Sequence, residues 1–167
     1  VGSEMCIRDR NIFLLILGSL FVFTSCLEHG LDDIENSDLC AISSITMEHR
    51  WIAKNNNGYD QLCRQQMTLS KGTPDENNEI RFKITVPAAS TSTSFNAFNA
   101  EVRNTVSISN LYLLSVISAA AKIAPVDGAP TLGLPGSFEI GKEYKYQVTA
   151  ANGKKAIFTI VIEDFIK

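Results

Sequence analysis

The sequence predicts an all-β protein, a two-layer β-sandwich of about seven strands with at most one short helix, behind an export segment and a tether. Three observations predict it. Residues 80–86 alternate apolar and polar side chains without a break, two alternating segments near the C-terminus flank an Asn-Gly turn, and short apolar runs separated by turn residues recur through residues 41–167. Of the 167 residues, 45% are hydrophobic and 20% charged, which fits one globular domain and excludes wholesale disorder. The 18 acids against 15 bases leave a net charge of −3, without the basic footprint that phosphate backbones need, so nucleic acid is not expected as a partner.

In chain order, residues 1–10 read Val-Gly-Ser-Glu-Met-Cys-Ile-Arg-Asp-Arg and resemble the translation of a transposase adaptor used to prepare DNA for sequencing. They are expected to be a non-native leader, which sets Cys6 aside and implies that the authentic start is missing. If they are native instead, Arg8 and Arg10 form a basic n-region and nothing downstream changes. Residues 11–25 read as a lipoprotein signal peptide. The uncharged run 12–23 would make a helix of roughly 18 Å, short of the ~30 Å hydrocarbon core, so it is an h-region and not a membrane span. Phe23-Thr24-Ser25-Cys26 follows. Phe23 at −3 spoils ordinary signal-peptidase cleavage, whereas Ser25-Cys26 resembles a bacterial lipobox that lacks its usual Leu. Cys26 is therefore the expected lipid attachment site and the membrane the expected partner, because acyl chains contribute roughly 0.8 kcal/mol per buried CH₂ and more than one chain makes anchoring stable. The alternative is a secreted protein with a coincidental cysteine.

Residues 26–40 read as an acidic tether. Glu28, Asp32, Asp33, Glu35 and Asp38 occur with no base before Arg50, whereas 13 of the 15 bases and only 11 of the 18 acids lie beyond Asp38. Such a run stays extended and solvated, with a reach of about 40 to 45 Å. It is either a plain spacer or resembles the acidic stretch after the acylated Cys that marks certain Gram-negative gut lipoproteins for outward display. A calcium loop is rejected: residues 33–38 lack the Gly at position 6, and Ser44 stands where a bidentate Glu belongs.

The domain is expected over 41–167. Ile45, Met47 and Trp51 share one parity, as do Cys63, Met67 and Leu69, and Lys54-Asn55-Asn56-Asn57-Gly58 between them is turn chemistry, so a hairpin centred near Asn56 is expected, with strands over 41–52 and 61–69. Ile80, Phe82, Ile84 and Val86 form the inner face of the next strand, which stops at Pro87. Phe95, Phe98 and Val102 suggest a short helix near 95–104. Residues 106–123 suit two strands broken near Asn110 or Ser115, before a loop punctuated by Pro125, Gly128, Pro130, Gly133, Pro135 and Gly136. In the last hairpin, a three-residue turn with Gly153 left-handed pairs Tyr144 with Ile160, Tyr146 with Phe158 and Val148 with Ala156. That apolar match favours it over a two-residue turn, which would slip the register by one.

A disulfide is the default in an oxidising compartment, but the expected hairpin puts Cys63 opposite His49 and Cys40 about 30 Å away, beyond bridging reach. Free thiols follow, with Cys63 packed inward. Catalytic signals are absent. Only His29 and His49 are available, no zinc spacing, nucleophile elbow, Walker loop or dinucleotide fingerprint occurs, and no paired carboxylates stand out, so neither an enzyme, a metal nor a cofactor is expected. His49 could meet Asp60 and a remote Ser, yet on a strand face it reads as a hydrogen-bonded structural residue. What remains is recognition: Trp51 with Tyr59 offers rings to a sugar, and Asn56 or Asn57 could bond hydroxyls, against the plainer reading of Trp51 as a core residue between the sheets.

With the tether, the Ile42-Ser-Ser-Ile-Thr-Met-Glu-His-Arg-Trp51 strand, the Ile84-Thr-Val-Pro87 strand end and the Tyr146-Gln-Val-Thr-Ala-Ala-Asn-Gly153 hairpin assembled, the chain from Cys26 onward resembles small surface lipoproteins of gut commensal bacteria with one immunoglobulin-like or cadherin-like β-sandwich of unknown function. The resemblance implies outer-membrane display, sometimes beside glycan-uptake or adhesive machinery, and supplies no catalytic residues. The expected function is a surface-displayed or periplasmic binding or adhesion module with a glycan or protein ligand. The alternatives are a glycan-binding accessory lipoprotein of a polysaccharide uptake system and a structural subunit whose edge strand recruits a partner.

Overall fold

Alternation of apolar and polar side chains lets a strand bury one face and wet the other, and this pattern is cleanest at Glu79–Thr85 and Glu143–Thr149. The computed structural model describes residues 37–167. In chain order the strands are β1 (Ile42–Lys54), β2 (Asp60–Gln66), β3 (Thr68–Leu69), β4 (Glu79–Thr85), β5 (Leu111–Ile117), β6 (Lys122–Val126), β7 (Pro135–Gly136), β8 (Glu143–Thr149) and β9 (Lys155–Ile166). Helix α1 (Ala100–Thr105) and a single 3-10 turn (Ile108–Asn110) interrupt them. Strands β2-β1-β5-β7 form one sheet and β3-β4-β9-β8-β6 the other, an all-β sandwich of the immunoglobulin-like class. Seven of the strands are long, and two are two-residue bridges. All pairings are antiparallel except β4 with β9.

The core lies between the layers. Ile80, Phe82 and Ile84 of β4 meet Tyr146 of β8 and Phe158 of β9, all fully buried or nearly so, with Met47 and Leu113 from the facing sheet. Tyr146 buries its ring and donates its hydroxyl to Pro130 O at 2.7 Å, which ties β8 to the long loop before β7. Burial pushes that phenol well above its ordinary pKa, so it acts as a donor throughout the accessible pH range. Gly136 is needed for closeness: a Cβ there would stand 2.8 Å from both the Phe138 ring and Pro130.

The C-terminal hairpin has the expected register, Tyr144 opposite Ile160, Tyr146 opposite Phe158 and Val148 opposite Ala156, with Gly153 at φ 87°. Four expectations need correction. The first hairpin is centred on Asn57, not Asn56, so Cys63 faces Trp51 and not His49. Asn55 sets this by closing a five-residue loop: its N–H bonds Tyr59 O, its carbonyl accepts from Gly58 N, and its Oδ1 accepts from the N–H groups of Asn57 and Tyr59. The segment 61–69 is not one strand, because the chain crosses between sheets at buried Met67. The helix starts at Ala100, where the Asn99 side chain caps it, and not near Phe95. Finally, β5 and β6 are separated at residues 118–121, Asn110 instead ends the 3-10 turn before β5, and of the residues expected in the following loop Pro125 lies in β6 and Pro135 and Gly136 form β7.

The expected leader, signal peptide and lipid attachment site Cys26 lie outside the described residues. At the tether's end, Ser37 O accepts from Asn152 N at 3.1 Å and Asp38 pairs with Lys154 at 3.2 Å, so the chain is already bound to the body beside the β8–β9 turn. From there β1 runs 13 residues, roughly 40 Å, to the 55–59 loop. Ser37 and Asp38 and the tip of the first hairpin therefore lie at opposite ends of β1.

Candidate functional site

The candidate residues sit on that hairpin. β5 accompanies β1 only as far as Glu48, opposite Tyr112, whereas β2 pairs with β1 from Glu48 to Lys54, so the outer half of β1 continues with β2 as a two-stranded arm. A bare ribbon is marginal in water. This one is held by its inner face, where the Trp51 ring stacks on His49 with centroids 6.0 Å apart and tilts against Phe98 at 6.0 Å. Trp51 is half-buried and packs against the core cluster. Tyr59 is 71% exposed at the tip, and Asn56 is exposed beside it. The structure thus brings Asn56 and Tyr59 together and turns Trp51 away from them, into the layer between the sheets.

His49 is only 3% exposed. The Thr105 hydroxyl donates to Val102 O at 2.7 Å, so at 3.2 Å it accepts from His49 Nε2, which assigns the ring proton to Nε2. Nδ1 is buried without a partner. Burial, and next the Lys167 ammonium, hold the imidazole below its ordinary pKa. Lys167 itself donates to Asn104 O and Val106 O, closing the C-terminal end of α1. Asp60, by contrast, is exposed and paired with Lys54 at 2.8 Å, on the opposite face of the arm. The residues His49 and Asp60 therefore do not form part of a triad.

The outer face carries what sequence reasoning missed. Ile52 and Leu62 are direct cross-strand neighbours, each 61% exposed. Next to them Glu48 is buried between Arg50 at 3.0 Å and Arg64 at 3.9 Å, and the Arg50 guanidinium lies 4.4 Å from the centre of the Tyr112 ring. The signal was available: moving the hairpin centre by one residue to match Ile52 with Leu62 exposes the pair. Among the described residues no group of three or more His, Cys, Asp or Glu is placed to hold a metal, and no helix is long and apolar enough to cross a membrane. Cys40 and Cys63 are free thiols, the latter buried with Sγ toward Gln61 O.

A family model described as DUF5018-related matches residues 42–161, from the start of β1 into β9. Among solved structures the chain is similar to a candidate secreted protein from Bacteroides fragilis, with 26% identity and a TM-score of 0.66 over 80% of this chain and 99% of that one. No curated protein matches it.

Proposed function

The chain belongs to the DUF5018-related family, and on that premise we propose that it is a non-catalytic binding or adhesion module held at the outer membrane by acyl chains on Cys26, its 55–59 loop turned outward. The observation that carries this reading is the polarity of the fold. The tether joins at the β8–β9 turn through Ser37 and Asp38, and the long strand β1 places the exposed Tyr59 and Asn56 at the far end. A rigid sandwich on an acidic tether then presents that end away from the bilayer, where loops serve recognition without disturbing the scaffold. The description of the similar Bacteroides protein as a candidate for secretion supports export. Tyr59 is the ring offered to a ligand, glycan or protein, since Trp51 is engaged by His49 and Phe98.

The test is labelling of intact cells with a membrane-impermeant maleimide. Asn56→Cys should label strongly and remain cell-associated, and the same variant in a Cys26→Ser background should lose its cell-associated label. Protection of Asn56→Cys until the outer membrane is opened would contradict outward display.

A further inference from the structure

We infer that β2 is a docking edge for a second copy of this chain, joined antiparallel about Leu62. A sandwich has four edges, and exposed ones invite pairing unless they are shortened, bulged, or furnished with Pro or charge. Among the four, β3 and β7 are two residues long and cover only two residues each of β4 and β5, β7 includes Pro135, and β6 carries Pro125. Strand β2 is the longest of the four, and its two charges, Asp60 and Arg64, are of opposite sign, so they can complement a second copy. It runs seven residues, Asp60–Gln66, without Pro or Gly, and its register against β1 has no shift.

The free backbone groups can be assigned. Asn55 N bonds Tyr59 O and Met67 N bonds Met47 O, so in this register the odd-numbered residues of β2 turn their backbone toward β1. Asp60, Leu62, Arg64 and Gln66 therefore direct N–H and C=O away from the sheet, and among the described residues no backbone group pairs with them from that side. Gln66 O already accepts from the Gln65 side chain, and the chain leaves the sheet at Met67, which confines pairing to residues 60–64.

Within that window the side chains select both partner and register. With Leu62 facing Leu62 of the second copy, Asp60 faces Arg64 of the second copy and the reverse, so opposite charges meet on both sides. The exposed Ile52 beside each Leu62 extends the contact into an apolar row across four strands, flanked by the charged rows. A ladder this short buries less than a permanent interface does, so each pair is weak, and strength comes from many copies on one surface. The two-fold axis is perpendicular to the sheet, so Ser37 of the two copies stands at opposite ends of the pair, which fits copies on facing surfaces. That last point alone rests on anchoring at Cys26.

Cross-linking of the full chain in detergent tests the pairing. In the proposed ladder the two Leu62 Cα atoms stand about 5.5 Å apart, within disulfide reach, whereas the two Ile52 positions are separated by three strand spacings, roughly 14 Å. Under mild oxidation Leu62→Cys should give a covalent dimer and Ile52→Cys should not. In the Leu62→Cys background, Asp60→Arg or Arg64→Asp alone should lower dimer yield about tenfold, and the two together should restore it. Equal yields at positions 52 and 62, no recovery in the double reversal, or cross-linking of Leu62→Cys to a different protein would overturn the second copy as occupant. Mixing two cell populations with differently tagged Leu62→Cys chains separates the display reading. A mixed-tag dimer supports facing surfaces, and dimers of one tag only would overturn that part while leaving the pairing intact.

Discussion

His49 is a neutral imidazole buried with one nitrogen satisfied by Thr105 and the other by nothing, and its consequence is a pH dependence with a definite sign. Its pKa is lowered in the folded state, so below about pH 6.5 the unfolded chain takes up a proton that the folded chain refuses. The stabilisation is complete above that pH and is lost as pH falls from there toward the lowered folded value. Denaturant melts across this range should show the loss, and His49→Gln should flatten it; an unchanged acid limb would refute the assignment. Tyr146 gives a second test at this scale. Tyr146→Phe removes only the hydroxyl bonded to Pro130 O, and should cost about 1 kcal/mol in the same measurement. Trp51 was legible as either ligand platform or core, and it is half-buried, stacked on His49 and tilted against Phe98.

Among the elements, the two hairpins show what determines legibility. In the C-terminal one, the glycine position and the apolar match across strands demand the same register, so the sequence was unambiguous. Gly153→Val should accordingly lower stability by roughly 1–2 kcal/mol through its left-handed backbone, read as a reduced midpoint of unfolding. In the first hairpin, three consecutive Asn residues before Gly58 allow neighbouring turns, and Asn55 decides among them through side-chain bonds that no periodicity reveals. The break between β5 and β6 was hidden for a related reason. It turns through Ala120 at φ 59°, a conformation usually announced by Gly or Asn. The crossing at Met67 was equally silent, since β2 and β3 continue one another's alternation and only tertiary packing divides them. Edge status, on which the docking of a second copy depends, is likewise a property of the assembled sheet.

For the whole molecule, one core between two sheets holds both ends of the fold in place. Phe82 is at its centre, and Phe82→Ala should cost about 3–5 kcal/mol, enough to make the domain marginal. Thiol titration of the denatured chain checks the layout by a different route. Cys63 faces Trp51, eleven residues along β1 from Cys40 and roughly 36 Å away, so both should titrate as free; a bridge between them would contradict the first hairpin. The proposed display, with Ser37 at one end of the fold and Tyr59 at the other, depends on an anchor at Cys26. Metabolic incorporation of a palmitate analogue tests that most directly. The wild-type chain should carry the label and Cys26→Ser should not, whereas equal labelling of the two, or none in either, would contradict a lipid-anchored display module.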